Sequence, residues 1–334
     1  MTRRLAFDRT LRVAACLIAA LAAGCGGDDD NPPPPELLQI TAVNQVAIAR
    51  ATAISFANLD SVRDVPTASS AGAPTASDAA GSTKHALGKA IAAASAVRLG
   101  TISITEQCPL SGSIAITLDD RDNNAAPSAG DVLSATFNEC RESPTSLVRG
   151  SFSVNIASYS DPLLSGLFTF SQLTIVDESG SAAVSGQANL VYTLTNDPAG
   201  TSTTRITMTV PAAGLVGSLS IPGYSETFTY DPDFSAVWTD VTPSNAPGYS
   251  TSVLNGKVGF ASLGGRIIAA TDPPVHDVWE ENYPDSGAVL ITGYQSKLRM
   301  TVLSTTTVRL DLDANNDGVY ESTRDIPWSE LLPF

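Results

Sequence analysis

Leu298 to Leu312 reads LRMTVLSTTTVRLDL. Leu298, Met300 and Val302 alternate with Arg299 and Thr301, and Val308, Leu310 and Leu312 alternate with Arg309 and Asp311. A period of two places the apolar set on one face of a strand and the polar set on the other. Four residues, Leu303 to Thr306, remain between the runs as a turn. Strands joined by so short a connection run antiparallel. The stretch therefore predicts a β-hairpin with one face toward a core and the other toward water.

The same period recurs from Thr101 onward, in Ile114, Ile116 and Leu118, in Leu133, Ala135 and Phe137, and in Phe152, Val154 and Ile156. It returns in Leu190, Tyr192 and Leu194, and in Ile206, Met208 and Val210. Between these runs lie turn signals: DESGS near Asp177, NDPAG at Asn196, IPG at Ile221 and TPSNAPG at Thr242. None is long enough to hold a crossover helix, which disfavours parallel βαβ architecture. A mainly β chain follows, with residues 101–334 as one large antiparallel domain. So many strands form a sandwich or a rolled, barrel-like sheet, since a flat open sheet of that size would twist and expose its edges. PWSEL, at Pro327 to Leu331, suggests a closing helical turn.

Upstream, residues 38–100 read as a helical region. Val43, Ala47, Ala51 and Ile54 recur at helical spacing between Thr41 and Asp60, as do Leu87, Ile91, Ala94 and Val97 between Lys84 and Arg98. Two N-terminal helices are expected to pack on the β-domain. The Ala, Ser, Thr, Pro and Gly run between them carries few large apolar groups and reads as a loop.

Residues 1–24 have the layout of an export signal: Arg3, Arg4, Arg9 and Arg12, then a short apolar run from Val13 to Ala23. Such a run is too short for a mature membrane span. Leu21-Ala22-Ala23-Gly24-Cys25 resembles the bacterial lipobox, with Ala22 rather than leucine three places before the cysteine. The resemblance implies cleavage before Cys25 and its lipidation. Residues 25–37 follow as a Gly, Asp and Pro tether with no large apolar side chain before Leu37. Signal, tether and loop chemistry together are similar to those of Gram-negative envelope lipoproteins. That similarity implies a lipid-anchored place in the cell envelope, and Gly26 after the cysteine resembles outer-membrane sorting.

The full chain carries 19 basic and 34 acidic residues, a formal charge of −15. Without residues 1–24 the counts become 15 and 33, or −18. Such a surface repels phosphate backbones and anionic lipid, so nucleic acid is excluded as a partner and cations are favoured. Of four cysteines, Cys16 lies in the signal and Cys25 is the lipidation site, leaving Cys108 and Cys140. In an oxidising compartment this pair reads as a disulfide rather than as catalytic or metal-binding thiols. A loop of that length is worth about 3 to 4 kcal/mol in the chain-entropy picture.

Inside that loop stands LDDRDNNAAPSAGD, from Leu118 to Asp131. Calcium takes six to eight oxygens, which an EF-hand loop supplies from positions 1, 3, 5, 7, 9 and 12. With Asp120 first, Asp122, Asn124, the carbonyl of Ala126, Ser128 and Asp131 fill the rest. The spacing resembles EF-hand-like loops, but Ala125 stands where glycine is required, Asp131 replaces a bidentate Glu, and the flanks are strands. A polar hairpin loop whose carboxylates bond nearby amides is the alternative. A weaker copy lies at Asp313, Asn315, Asp317 and Glu321, where position 12 is Arg324 and the closing carboxylate would come from Asp311 or Asp325. A plain NDG hairpin explains that stretch as well.

Catalytic signals are sparse. His85 and His276 are the two histidines; on a helical turn His276 would share a metal with Glu280, whereas its proline-bounded setting favours a packed surface loop. The chain contains no GxSxG, HExxH, CxxC, P-loop or GxGxxG. The resulting expectation is a non-enzymatic envelope lipoprotein with a calcium-stabilised β-domain and a structural or binding role, its partner a protein or a hydrophobic ligand. A periplasmic carrier is the first alternative, suggested by GLFTFSQLTIV, where Leu167, Leu173 and Ile175 fall on one face and Phe168, Phe170 and Val176 on the other. An envelope hydrolase is the second.

Overall fold

A computed structural model describes residues 36–63, 101–124, 127–141, 143–160, 163–178 and 180–332. Cys25 with most of its tether, His85, the second expected helix over Lys84 to Arg98, and Ala126 lie outside the described residues.

The described residues open with helix α1 (Gln45–Arg63) and then run through β1 (Ile102–Gln107), β2 (Ser111–Asp119), β3 (Val132–Arg141), β4 (Leu147–Ser160), β5 (Leu163–Val176) and β6 (Ser181–Asn196). Next come β7 (Ser202–Thr209), β8 (Leu215–Ile221), β9 (Tyr224–Tyr230), β10 (Ser235–Thr242), β11 (Tyr249–Phe260), β12 (Gly265–Thr271) and β13 (Val275–Val278). The last elements are β14 (Gly287–Gly293), β15 (Ser296–Ser304), β16 (Thr307–Asp313), β17 (Ser322–Pro327) and the single-turn helix α2 (Trp328–Leu331). All seventeen strands among the described residues join one sheet through antiparallel pairings.

The pairing is a meander. β1 to β6 pair in sequence, and β7 and β8 lie end to end along β6, Thr209 opposite Asn189 and Leu215 opposite Gly186. β10 and β9 likewise share β11. The break between β7 and β8 is closed across the ladder by Val210 N–H donating to the Phe234 carbonyl at 2.9 Å and Asp233 N–H to the Val210 carbonyl at 2.9 Å. β12, β14, β15, β16 and β17 complete the order.

The opening stretch forms the expected hairpin, with Leu298 opposite Leu312 and Met300 opposite Leu310, all buried. Its turn is tighter than expected, because β15 continues to Ser304 and Ser304 already faces Thr307 across a bulge. Nearly every alternating residue named from the sequence sits in the core, from Ile114 to Leu312.

α1 begins later than its apolar pattern suggested. Val43 lies in the preceding turn and is 96% exposed, and Ala47 is exposed too, while Ile48, Ala49, Ala51, Ile54, Leu59 and Val62 are buried. Full burial of each large aliphatic side chain here contributes about 1.5 to 3 kcal/mol. Polar positions are buried as well: Thr52 and Ser55 donate back to the carbonyls of Ile48 and Thr52 at 2.8 Å, and Asn58 Nδ2 donates to the Ser218 carbonyl at 3.1 Å. The Tyr230 hydroxyl donates to the Ser55 carbonyl at 2.6 Å. The helix therefore does not lean on a sheet face. It meets β6, β8, β15, β16 and α2, strands far apart in the meander, so the sheet rolls around it. Gly217 in β8 shows how close the approach is, since a Cβ there would stand 2.1 Å from Asn58 Oδ1.

Because turns of a meander alternate between ends, the sheet has two rims. One carries the β1–β2, β3–β4, β5–β6, β8–β9, β11–β12, β14–β15 and β16–β17 turns. The chain enters there: Leu38 N–H donates to the Arg266 carbonyl at 2.8 Å, Tyr294 N–H to the Leu38 carbonyl at 2.8 Å, and Ile40 N–H to Ser296 Oγ at 2.8 Å. Glu36 pairs with Lys257 at 3.1 Å and Arg266 at 3.6 Å. We call this the entry rim and the other the far rim. α1 runs toward the far rim, where Arg63 meets Asp240 at 2.6 Å.

A bulge corrects the two-faced reading of β5. Pairing with β6 shifts register between Phe170 and Leu173, with Gln172 at φ 48°. One inserted residue flips every later side chain to the opposite face. Phe168, Phe170 and Leu173 consequently share the buried face, and Ile175 packs with them against the core. Gly150 opposite this bulge has φ 96°, and a Cβ there would lie 2.1 Å from the Gln172 carbonyl oxygen.

Cys108 and Cys140 form a disulfide at the entry rim, with Cα atoms 5.5 Å apart. The acidic loop after β2 lies at the opposite end of the same hairpin, about 30 Å along nine-residue β2. The bridge holds the open end of the hairpin, not the loop itself.

Candidate metal centres

The β2–β3 loop starts where β2 ends, so its first side chains follow the pleat. Asp120 and Asp131 are buried, at 3% and 0% exposure, whereas Asp122 is exposed. Carboxylate oxygens of Asp120, Asp122 and Asp131 all lie within 4.8 Å of one another. Oxygens around one calcium ion, each at 2.3 to 2.6 Å, stand no more than about 5 Å apart, so the donor set fits.

Hydrogen bonds arrange the loop. Asn124 N–H donates to Asp120 Oδ1 and to Asp122 Oδ1, each at 3.2 Å, and Asn124 Nδ2 donates to Asp122 Oδ2 at 2.8 Å. Asp131 accepts from Arg121 N–H at 2.9 Å, Ser128 N–H at 2.8 Å and the Ser128 hydroxyl at 3.0 Å. These donors offset the desolvation of a buried carboxylate. Ser128 Oγ also lies 2.8 Å from Asp122 Oδ2. That hydroxyl is the main cause holding the Asp122 carboxyl below its ordinary range, against a smaller upward push from burial. Of the residues expected from the sequence, Asp120, Asp122 and Asp131 form the carboxylate cluster, and Asn124 and Ser128 are bonded to it.

The β16–β17 loop repeats the arrangement. Asp313 is buried at the end of β16, and oxygens of Asp313, Asp317 and Glu321 gather within 4.8 Å. Asp317 N–H donates to Asp313 Oδ1 at 3.2 Å and to Asn315 Oδ1 at 2.9 Å, and Asn315 Nδ2 donates to Asp317 Oδ2 at 3.1 Å. The same positions are bonded in the Asp120 to Asn124 segment, where the side-chain amide is on the fifth residue and donates to the third, the reverse of Asn315 and Asp317. Both loops also turn through a left-handed asparagine at the fourth place, Asn123 at φ 57° and Asn316 at φ 61°. Asparagine tolerates that conformation better than most residues. The shared sequence signal is D-x-[DN]-N-[DN], with the fourth-place asparagine its least visible element.

The two loops close differently. Glu321 reaches back to accept from Ala314 N–H at 2.8 Å and supplies the third carboxylate. Neither sequence-based substitute is in the cluster: Asp311 accepts from the Thr323 hydroxyl at 2.7 Å, and Asp325 is held by Arg309 through bonds of 2.8 and 3.0 Å.

His276 stands on strand β13, not on a helical turn, so no i, i+4 pairing with Glu280 arises. Its Nδ1 lies 2.7 Å from Asp285 Oδ1, and Tyr249 packs beside the ring at 5.0 Å. Burial pushes Asp285 up, but bonds from His276 and Ser286 outweigh it and leave it below its ordinary value. Burial raises neighbouring Asp277, against the pull of Arg63 and His276. Ser250 is engaged elsewhere, donating to Asp240 at 2.8 Å and accepting from Trp279 Nε1 at 2.8 Å. The group ties the β13–β14 loop to β11 and α1.

Compared with known proteins, the chain matches no family, no curated protein and no solved structure.

Proposed function

We infer that the chain is a lipid-anchored lipoprotein of the cell envelope whose β-domain binds calcium at the β2–β3 and β16–β17 loops, with a structural or binding role and no catalysis. The observation that carries the calcium reading is the recurrence of one five-residue conformation, with three carboxylates gathered, at two hairpins of unrelated position. Lys and Arg are outnumbered 15 to 33 beyond residue 24, which supports a cation as the small partner. LAAGC at Leu21 to Cys25 supports the anchor, and among the described residues no helix is long and apolar enough to cross a membrane.

Bound calcium would neutralise carboxylates that otherwise repel one another and would favour the folded state by mass action, by about 2.7 kcal/mol per site at a hundredfold excess over Kd. The partner of the domain is a protein or a hydrophobic ligand. A carrier draws no support from β5, whose apolar residues mostly share one face, nor from the interior of the roll, which α1 occupies.

The test is thermal unfolding of the mature chain with calcium and with a chelator, alongside Asp120→Ala and Asp313→Ala. A calcium-dependent rise in Tm, reduced by each substitution, is expected. Identical melting under all conditions overturns the calcium reading. Labelling with radioactive palmitate, lost in Cys25→Ser, tests the anchor separately.

A further inference from the structure

Large apolar side chains left exposed are not spread evenly over the surface. Among the described residues ten are exposed, and five of these, Val43, Leu110, Tyr294, Val319 and Tyr320, sit on turns of the entry rim. Four of the five belong to neighbouring structure. Tyr294 is in the β14–β15 turn that receives the entering chain, and Val43 lies three residues beyond Ile40, itself bonded to Ser296 in that turn. Val319 and Tyr320 are in the β16–β17 loop, which leaves β16 at Asp313 opposite Lys297 of β15. Val43 is 96% and Val319 61% exposed, though both could have been polar at no cost to the core. On the far rim the exposed ones are Leu303, by itself on the β15–β16 turn, and Trp279, which is fixed by its bond to Ser250 and packs over Gly248.

We propose that this part of the entry rim contacts a membrane, with Val43, Tyr294, Val319 and Tyr320 inserting among neutral phospholipid headgroups. The inference rests on the lipid-anchor reading for its partner. Cys25 precedes Glu36 by eleven residues, a contour of at most about 40 Å. Glu36 enters at this rim, so the tether joins the domain here, while sixteen-residue β6, which starts at this rim, is about 50 Å long. Tyrosine suits the interface, where its ring sits in the apolar boundary and its hydroxyl in water. The net negative charge of the chain selects zwitterionic over anionic lipid. Each side chain adds little alone, and binding through the rim follows from anchor and contacts acting together.

The test uses the full mature lipidated chain in phosphatidylethanolamine–phosphatidylcholine vesicles, with an environment-sensitive fluorophore on Val43→Cys, Val319→Cys or, on the far rim, Leu303→Cys. Brominated lipid is expected to quench the first two probes and leave the third unchanged. Equal behaviour of all three in a chain that floats with vesicles overturns the rim and leaves the anchor standing. If the wild type does not float, the anchor reading fails by itself, and the rim is judged on the unlipidated chain. There, vesicle partitioning reduced about tenfold by Val319→Asp with Tyr294→Ser supports it, and partitioning that is absent or unchanged overturns it. Shielding of the rim probes without vesicles, together with a doubled mass, assigns the surface to a second copy of the chain and also overturns it.

Discussion

The two acidic loops share their first five residues' conformation and differ in how they close. In the β2–β3 loop the closing group is Asp131, fully buried and already held by three protein donors. In the β16–β17 loop it is Glu321, exposed and reaching back to one backbone amide. One loop is a preformed cup set into the domain. The other is an open hook on the entry rim. The comparison shows that ligand spacing sets which oxygens meet, whereas burial of the closing residue decides how much of the arrangement exists before a cation arrives.

The largest contrast is expected from removing the closing groups. Asp131→Ala removes a fully buried carboxylate and the charge-assisted bonds it accepts from the part-buried amides of Arg121 and Ser128, and should cost about 3 kcal/mol in denaturant unfolding without calcium. Glu321→Ala, at an exposed site, should cost under about 1 kcal/mol in the same measurement. Equal losses would break the distinction between cup and hook.

Next comes the shared left-handed asparagine. Asn123→Val and Asn316→Val should each cost about 1 to 2 kcal/mol, because a β-branched residue resists positive φ. Replacement by glycine at either place should be nearly neutral, and comparison of the four midpoints checks both statements. A smaller effect separates the loops in metal affinity. Calorimetric titration is expected to give two calcium sites, the tighter lost in Asp120→Asn and the weaker in Asp313→Asn; loss of the same site in both would join the loops into one.

The smallest effect concerns protons. Asp122 has a folded pKa below its unfolded one, so its contribution is present above the ordinary carboxylate range and fades as pH falls through the depressed folded value. Ser128→Ala removes the main cause and should move the Asp122 carboxyl resonance titration upward by NMR, with Asp325, held low by Arg309, as an unmoved control.

Much of this architecture was legible in the sequence because strands with one wet face write a period of two, as Leu298, Met300 and Val302 do. What stayed hidden arises where local pattern and tertiary position part company. Gln172 bears no mark of a bulge, yet its insertion turns Leu173 and Ile175 onto the face of Phe168. The polar residues Thr52, Ser55 and Asn58 look like a solvated helix face, and their burial depends on partners at Ser218 and Tyr230 far along the chain. At the metal loops, carboxylates at alternate places were visible from Asp120 onward. The closure by Glu321 was not, because it follows from the left-handed turns at Asn316 and Gly318 that bring the chain back to Ala314.

α1 also fixes the order in which the protein can become complete. It is made before any of the seventeen described strands, yet its partners include β15, β16 and α2 at the other extreme of the chain, where Arg50 Nε donates to the Glu330 carbonyl at 2.8 Å. A nascent chain therefore carries its central helix unsheathed until almost the last residue is synthesised. Contacts of such sequence separation make folding slow and leave apolar surface open to association meanwhile. A chain ending before Trp328 should remain a client of chaperones and proteases rather than a slightly shortened native protein.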